Sequence, residues 1–407
     1  MDPSKKYTAI HYHSYLELDK ILDAQTPRSG QFEKEAAHDE TLFIIMHQVY
    51  ELWFKQVIHE LNSVTAMFRD DKVQEDSMNM AVLRLKRVSE ILELVIKQIF
   101  VMETLTPLDF MDFRNYLFPA SGFQSLQFRM IEGILGLEES QRMTYNGHSY
   151  KIVFSDDQKK MLDEIEKKKS LFEHVEEWLE RTPFLEFGDF NFLEVYQEAV
   201  QKMLAKEKEA IEATEYLSPK MKNMRLTMLG STNTYFKQVL SEKEHNDLIK
   251  KGELRLSYKA TLAALFINLY REKPILTVPY NFLMELMNID ELLTNWRYRH
   301  AQMVMRMIGN KVGTGGSSGH KYLAETAEKH KVFQDLHNIS SLLIPRSECQ
   351  NCLTNLIKGL DSFILPKRNR ETDSELYKWP TCSFEKWRSA RSVQSCKRSG
   401  ICSGAKF

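Results

Sequence analysis

From Asp39 to Phe68 the chain runs thirty residues without a glycine or a proline. Its central stretch, HDETLFIIMHQVYELWFKQVIHELNSV, is apolar nearly all round. That pattern suits a helix sealed inside a helical assembly, not one with a single wetted face. Shorter stretches repeat the signal. Helical spacing predicts elements over about 12–24, 80–101, 254–270 and 281–308, the second carrying Leu83, Leu85, Val88, Ile91, Leu94 and Ile96. Thr106-Pro107-Leu108-Asp109 reads as a helix start, with Thr as the cap, Pro in the first turn and Asp near the positive helix end. That helix should stop before Pro119, and another should open near Phe123.

Between 155 and 215 the pattern is helical but heavily charged, with a break near Thr182-Pro183. These charges read as solvated faces of outer helices. Tyr145-Asn146-Gly147 reads as a turn, with a small hairpin as an option. Gly309 to Gly319, GNKVGTGGSSG, is the one glycine-rich loop; a helix follows, closed by Leu343-Ile344-Pro345. No internal repeat is visible. After about Asn369 the pattern weakens and Ser, Lys and Arg accumulate. The expectation is an all-α fold: one large helical bundle domain over 1–368, with peripheral charged helices, and a variable, poorly ordered tail over 369–407.

With 16 Gly and 11 Pro in 407 residues, breakers are scarce, as a helical protein requires. A net charge of −1 gives no global argument for nucleic acid or a membrane surface. No apolar run approaches the roughly 18–20 residues of a membrane span, and the start MDPSKKYTAIHYH lacks a signal-peptide core. A cytoplasmic protein with no membrane or nucleic-acid partner is expected. Five cysteines do not make a disulfide framework at this length. Cys349-Gln350-Asn351-Cys352 is followed by Cys382, Cys396 and Cys402 at irregular separations; free thiols are the default and a zinc site the alternative.

Three places could carry chemistry. Phe43, His47, Tyr50, Phe54 and Val57 share one helical face. His47 there is either a core histidine bonded to a carbonyl or carboxylate, or a ligand-facing group in an apolar pocket. Phe110 and Arg114 lie one turn apart, as a ring and a carboxylate clamp would, although a surface salt bridge is the plainer reading. Trp296, His300, Met303 and Met307 form a third face. A neutral imidazole among soft, apolar neighbours suits an axial haem ligand, yet spacing alone equally allows a satisfied core histidine. The loop from Lys311 to Gly319 lacks the Lys-Ser/Thr ending of a phosphate-binding loop, so it reads as a contact for a small polar ligand or as a linker.

In order along the chain, YLELDKILDAQ, HDETLFIIMHQVYELWFKQV, LTPLDFMDFRNYLFPASGFQSLQFR, WLERTP, LSYKATLAALFINLYRE, WRYRH, VGTGGSSGHKYL and LLIPR resemble the tryptophan 2,3-dioxygenase family, from about Tyr12 to Arg346. The resemblance implies an all-helical enzyme, usually a homotetramer built as a dimer of dimers. It would carry one haem b per subunit and add O2 across the indole C2–C3 bond of L-tryptophan, giving N-formyl-L-kynurenine. His300 in WRYRH matches the axial iron ligand, and His47 the distal histidine that meets the indole N–H. Arg114 matches the substrate carboxylate contact and Thr314 the ammonium contact. Phe43 and Phe110 match walls around the indole, while Ile44, Ile45, Met46 and Ser121 join the substrate-contacting set. Tyr12 and Tyr15 match an N-terminal arm, about 1–30, that reaches a neighbouring subunit's site. His47 is expected to orient the ring, since the indole N–H is too weak an acid to need removal before attack.

Three other functions compete: a relative that accepts other indoleamines, a haem sensor or carrier without turnover, and a helical scaffold without haem. Arg114 and Thr314 together read an amino acid backbone, which disfavours the first, and the intact motif set disfavours the last. The sequence also departs locally from the family. Met305 stands where some relatives carry a second histidine, Arg299 is unusual before His300, and the stretch 202–222 matches poorly.

Overall fold

The computed structural model describes residues 8–69, 73, 75–144, 148–182, 185–187, 190–313 and 320–348. The expectations for the 145–147 turn, for Pro183, for Thr314, for the cysteines from Cys349 onward and for the tail lie outside the described residues. The chain divides into Met1–Asn355 and Leu356–Phe407, and every described residue belongs to the first unit.

Among the described residues the helices are α1 (Tyr12–Leu16), α2 (Leu18–Leu22), α3 (Glu40–Met67), α4 (Glu75–Met102), α5 (Pro107–Arg114), α6 (Leu126–Leu135), α7 (Asp156–Glu166) and α8 (Leu171–Glu180). They continue with α9 (Phe192–Ala213), α10 (Pro219–Leu240), α11 (Glu242–Lys250), α12 (Tyr258–Leu269), α13 (Pro274–Ile308), α14 (His320–Lys329) and α15 (Gln334–Asn338). A two-residue antiparallel ladder, β1 (Glu186–Phe187) with β2 (Phe190–Asn191), is the only sheet among the described residues. The fold is all-α. No helix of the described residues is long and apolar enough to cross a membrane.

At the centre α4 packs against both α3 and α13, with α6 against α3 and α14 against α13. Helix α3 buries Phe54, Val57, Leu61 and Val64, at steps of three, four and three, and the buried Phe68 extends the row just past its end. That row is one face of a helix, and each such side chain contributes roughly 1.5–3 kcal/mol on leaving water. Helix α5 starts as its sequence dictates. Thr106 accepts from the Asp109 N–H, and Asp109 accepts from the Thr106 N–H, so both orphan donors are satisfied.

Three element boundaries differ from expectation. The N-terminal segment is two short helices, because Glu17 sits in the left-handed region at φ 51° and ends the first turn. Helix α4 begins at Glu75, with Asp76 in its first turn near the positive helix end. Helix α13 begins at Pro274 and runs through Pro279. That proline lies early in the helix, where its missing N–H forfeits one bond to a carbonyl of the first turn. The charged region also proves two-sided. Helix α8 keeps Glu173 and Glu177 outward and buries Leu171, Phe172, His174, Val175 and Leu179.

Candidate active site

Helices α3, α5, α6, α13 and α14 surround a cavity of about 270 Å³. Phe43, His47, Tyr50 and Phe54 line it from α3, and Trp296, His300, Met303 and Met307 from α13. Two of the faces read from sequence therefore look into one space. A run of rings connects them: His47 to Tyr50 at 6.3 Å, Tyr50 to Trp296 at 6.5 Å, and Trp296 to His300 at 5.4 Å between centroids.

The two histidines are held differently. His47 Nδ1 lies 2.7 Å from the Phe43 carbonyl oxygen, one turn back on the same helix. An oxygen there can only accept, so Nδ1 carries the proton and Nε2 presents a lone pair. Solvent reaches the ring along the cavity, yet protein surrounds its other sides, and this burial lowers its pKa against the opposing pulls of the Phe43 carbonyl and Glu51. His300 is a stronger case. Burial, with His47 adding in the same direction, lowers its pKa to about 4, so the imidazole is neutral across the physiological range. Its Nδ1 is buried without a partner among the described residues, which leaves Nε2 as the nitrogen open to the cavity.

Arg114 ends α5 at the cavity rim. One of its terminal nitrogens donates to the Val312 carbonyl, while Nε is buried with no partner among the described residues. A guanidinium in that state lacks an acceptor, which a carboxylate would supply. Phe110, one turn earlier, lines the same space with its ring 5.8 Å from Phe43. Ser121 also lines it and caps the short turn Gly122–Gln124.

The remaining expected residues lie elsewhere or outside the description. Ile44, Ile45 and Met46 do not line the cavity; successive helical residues rotate by about 100°, which turns these three off the face of Phe43 and His47. Met46 packs in the core with Met102, Leu105, Phe113 and Met307, and Ile45 is 41% exposed. Tyr12 and Tyr15 stand on the surface, each 70% exposed. Thr314 lies outside the described residues.

Comparison with known proteins decides the lineage. The family model for tryptophan 2,3-dioxygenase matches residues 3–343. The chain belongs to the tryptophan 2,3-dioxygenase family. It is 48% identical over 343 residues to the tryptophan 2,3-dioxygenase of Bdellovibrio bacteriovorus, covering 84% of this chain and 95% of that one. It is 46% identical over 340 residues to tryptophan 2,3-dioxygenase B of Danio rerio, with 83% of each chain covered. The enzyme of that name from Dictyostelium discoideum is 43% identical over 348 residues, 85% of this chain and 87% of that one.

This member of the tryptophan 2,3-dioxygenase family has one feature of the cavity wall that sequence reasoning missed. Glu132, on α6, is buried and bonds Arg129 at 2.9 Å, Arg297 at 2.9 Å and Arg142. His330 stands 3.6 Å from the same carboxylate. Burial alone would raise the pKa of Glu132; the Arg129, Arg142 and Arg297 guanidiniums outweigh it and hold the carboxyl well below the usual range. Arg297 sits three residues before His300 on α13, and its other arm donates to the His330 carbonyl. The cluster thus fixes the rotation of the helix that presents His300. Its only sequence signal is the spacing of Arg129 and Glu132; Arg142 follows ten residues after Glu132, and Arg297 and His330 arrive from far along the chain. Arg299, unusual in the motif, bonds Glu103 at 2.6 Å and lies over the Phe100 ring.

Proposed function

We propose that this dioxygenase holds haem b through His300 and adds both atoms of O2 across the indole C2–C3 bond of L-tryptophan, giving N-formyl-L-kynurenine. The observation that carries the reading is His300 itself. A neutral imidazole whose buried Nδ1 has no partner among the described residues, on a Trp- and Met-rich wall facing a second histidine, fits an axial ligand to an iron porphyrin. The bound haem supplies the iron that activates dioxygen.

The chain's own residues supply binding and orientation. Arg114 takes the substrate carboxylate through its planar fork, with the unpaired Nε available as one of the two donors. Phe43 and Phe110 close on the indole faces. His47 accepts the indole N–H at Nε2, because its own proton is committed to the Phe43 carbonyl. That bond sets which ring edge faces the oxygen, and no proton has to leave the indole first. Thr314 serves the substrate ammonium, and Ser121 lines the cavity. A homotetramer, in which Tyr12 and Tyr15 of one subunit reach a neighbour's site, is part of the same reading, as is a cytoplasmic location.

The test is direct. The purified protein should show a Soret band and, once reduced, form N-formyl-L-kynurenine from L-tryptophan in air. His300→Ala should lose stable haem binding while its far-ultraviolet helical signal persists. A variant that keeps full haem content shows that His300 is not the ligand.

A further inference from the structure

A second cavity, remote from the chemistry above, lies between α3, α6, α7 and α8. It holds about 560 Å³, within the range of small-molecule sites. Its floor is apolar: Met130 and Ile134 from α6, Met161 and Ile165 from α7. Gly133 lets α6 approach Ile165 closely there, since a Cβ would sit 3.0 Å from the Ile165 side chain. The rim is cationic, with Arg69, Lys168 and Lys169. Lys169 is neutralised by Glu177. Among the described residues, Arg69, Lys168 and the lining Glu164 make no ion pair, so the unpaired groups sum to one positive charge.

The wall contains an independent sign of a missing ligand. His174, from α8, is 7% exposed, lines the cavity, and has its Nδ1 buried with no partner among the described residues. Burial lowers its pKa, and Lys169 and Arg69 act in the same direction, against the pull of Glu177. A buried ring nitrogen without a hydrogen bond is unfavourable unless something supplies one. The features select among ligands. An inorganic anion would leave the apolar floor wet, and an uncharged apolar molecule would leave Arg69 and Lys168 without a counter-charge.

We propose that this cavity is a second binding site, for a small organic monocarboxylate. The floor takes the apolar body, Arg69 and Lys168 take the carboxylate, and His174 bonds a polar atom of the ligand.

Methionine-methyl NMR separates this site from the first, because Met130 and Met161 line the second cavity and Met303 and Met307 the first. The probe is phenylacetate, with phenylacetamide and inorganic phosphate as comparators. Phenylacetate should shift Met130 and Met161 saturably, and phenylacetamide should bind about tenfold more weakly, as expected for loss of a charge-assisted bond. The double variant Arg69→Gln/Lys168→Gln, altered only at exposed positions, should weaken phenylacetate by about tenfold or more. His174→Leu, whose remaining resonances report an intact fold, should weaken it several-fold. Shifts confined to Met303 and Met307, equal binding of acid and amide, phosphate binding as well as phenylacetate, or unchanged affinity in both variants would each overturn the proposal.

Discussion

Replacing Glu132 by glutamine tests the reasoning about the buried cluster most severely. The carboxylate accepts from Arg129, Arg142 and Arg297, all three buried. Glutamine keeps the size, but it removes the only carboxylate these three guanidiniums share and turns two N–H donors toward other donors. Breaking a buried ion pair from one side costs about 3–5 kcal/mol. At about 2.1 cal/mol/K of unfolding entropy per residue, a body of this size should lose roughly 4–7 °C in Tm. Denaturant unfolding followed by circular dichroism measures the free energy, and a thermal scan the shift. Charge can be separated from packing by adding Arg142→Leu to Glu132→Gln. Removing one uncompensated guanidinium should recover part of the loss. Glu132 also sets a pH dependence. Its folded pKa is depressed, so its contribution is complete above the ordinary value of 4.5 and is lost as pH falls through the folded value. The difference between parent and variant should therefore persist at pH 5 and narrow only in stronger acid. A single variant within about 1 kcal/mol of the parent, or a double variant less stable than the single, would refute the account.

Three further outcomes are expected. Arg114→Ala should raise KM for L-tryptophan roughly 10- to 150-fold, the worth of one charged hydrogen bond, with haem content unchanged; an unaltered KM removes its carboxylate role. For His47, the lowered pKa places protonation below the ordinary 6.5, so the acid limb of kcat/KM that disappears in His47→Phe should lie under that value. A limb above 6.5 that tracks His47 contradicts the burial argument. Gly136→Ala should destabilise by at least about 1–2 kcal/mol, because φ is +116° and the new Cβ would stand 2.7 Å from the Phe172 Cβ. Unfolding at the parent's denaturant midpoint would show that the loop relaxes without strain.

Much of this molecule was legible in its residues, for identifiable reasons. The rows of α3 and α13 are periodic, and periodicity survives any tertiary detail; it placed His47 and His300 on buried, aromatic-rich faces but left open whether those faces line a cavity. The start of α5 was legible because Thr106 and Asp109 satisfy their own backbone donors locally. What escaped was either local without a marker or distant. Glu17 takes a left-handed turn with no glycine or proline to announce it. Ile44, Ile45 and Met46 came with their motif, but a motif is linear and a helix rotates, so only Phe43 and His47 of that run meet the cavity. The Glu132 cluster joins positions as far apart as 129 and 330, and no local pattern encodes that.

On the proposed haem assignment, the anchoring of α13 bears on how this chain would meet its cofactor. Asp290 accepts the Val332 and Phe333 N–H groups, Arg297 reaches Glu132, and Arg299 reaches Glu103. None of these ties uses His300; the Arg297–Glu132 pair belongs to the cavity wall, and the other two lie outside it. The helix that offers the imidazole is therefore positioned by the polypeptide before any porphyrin arrives. Loading then behaves as association with a standing receptor: its rate scales with free haem concentration, and the added stability grows only logarithmically with that concentration. On the proposed haem assignment, such a chain would stand folded and be completed by haem supply, so its capacity would follow cofactor availability as well as its own abundance.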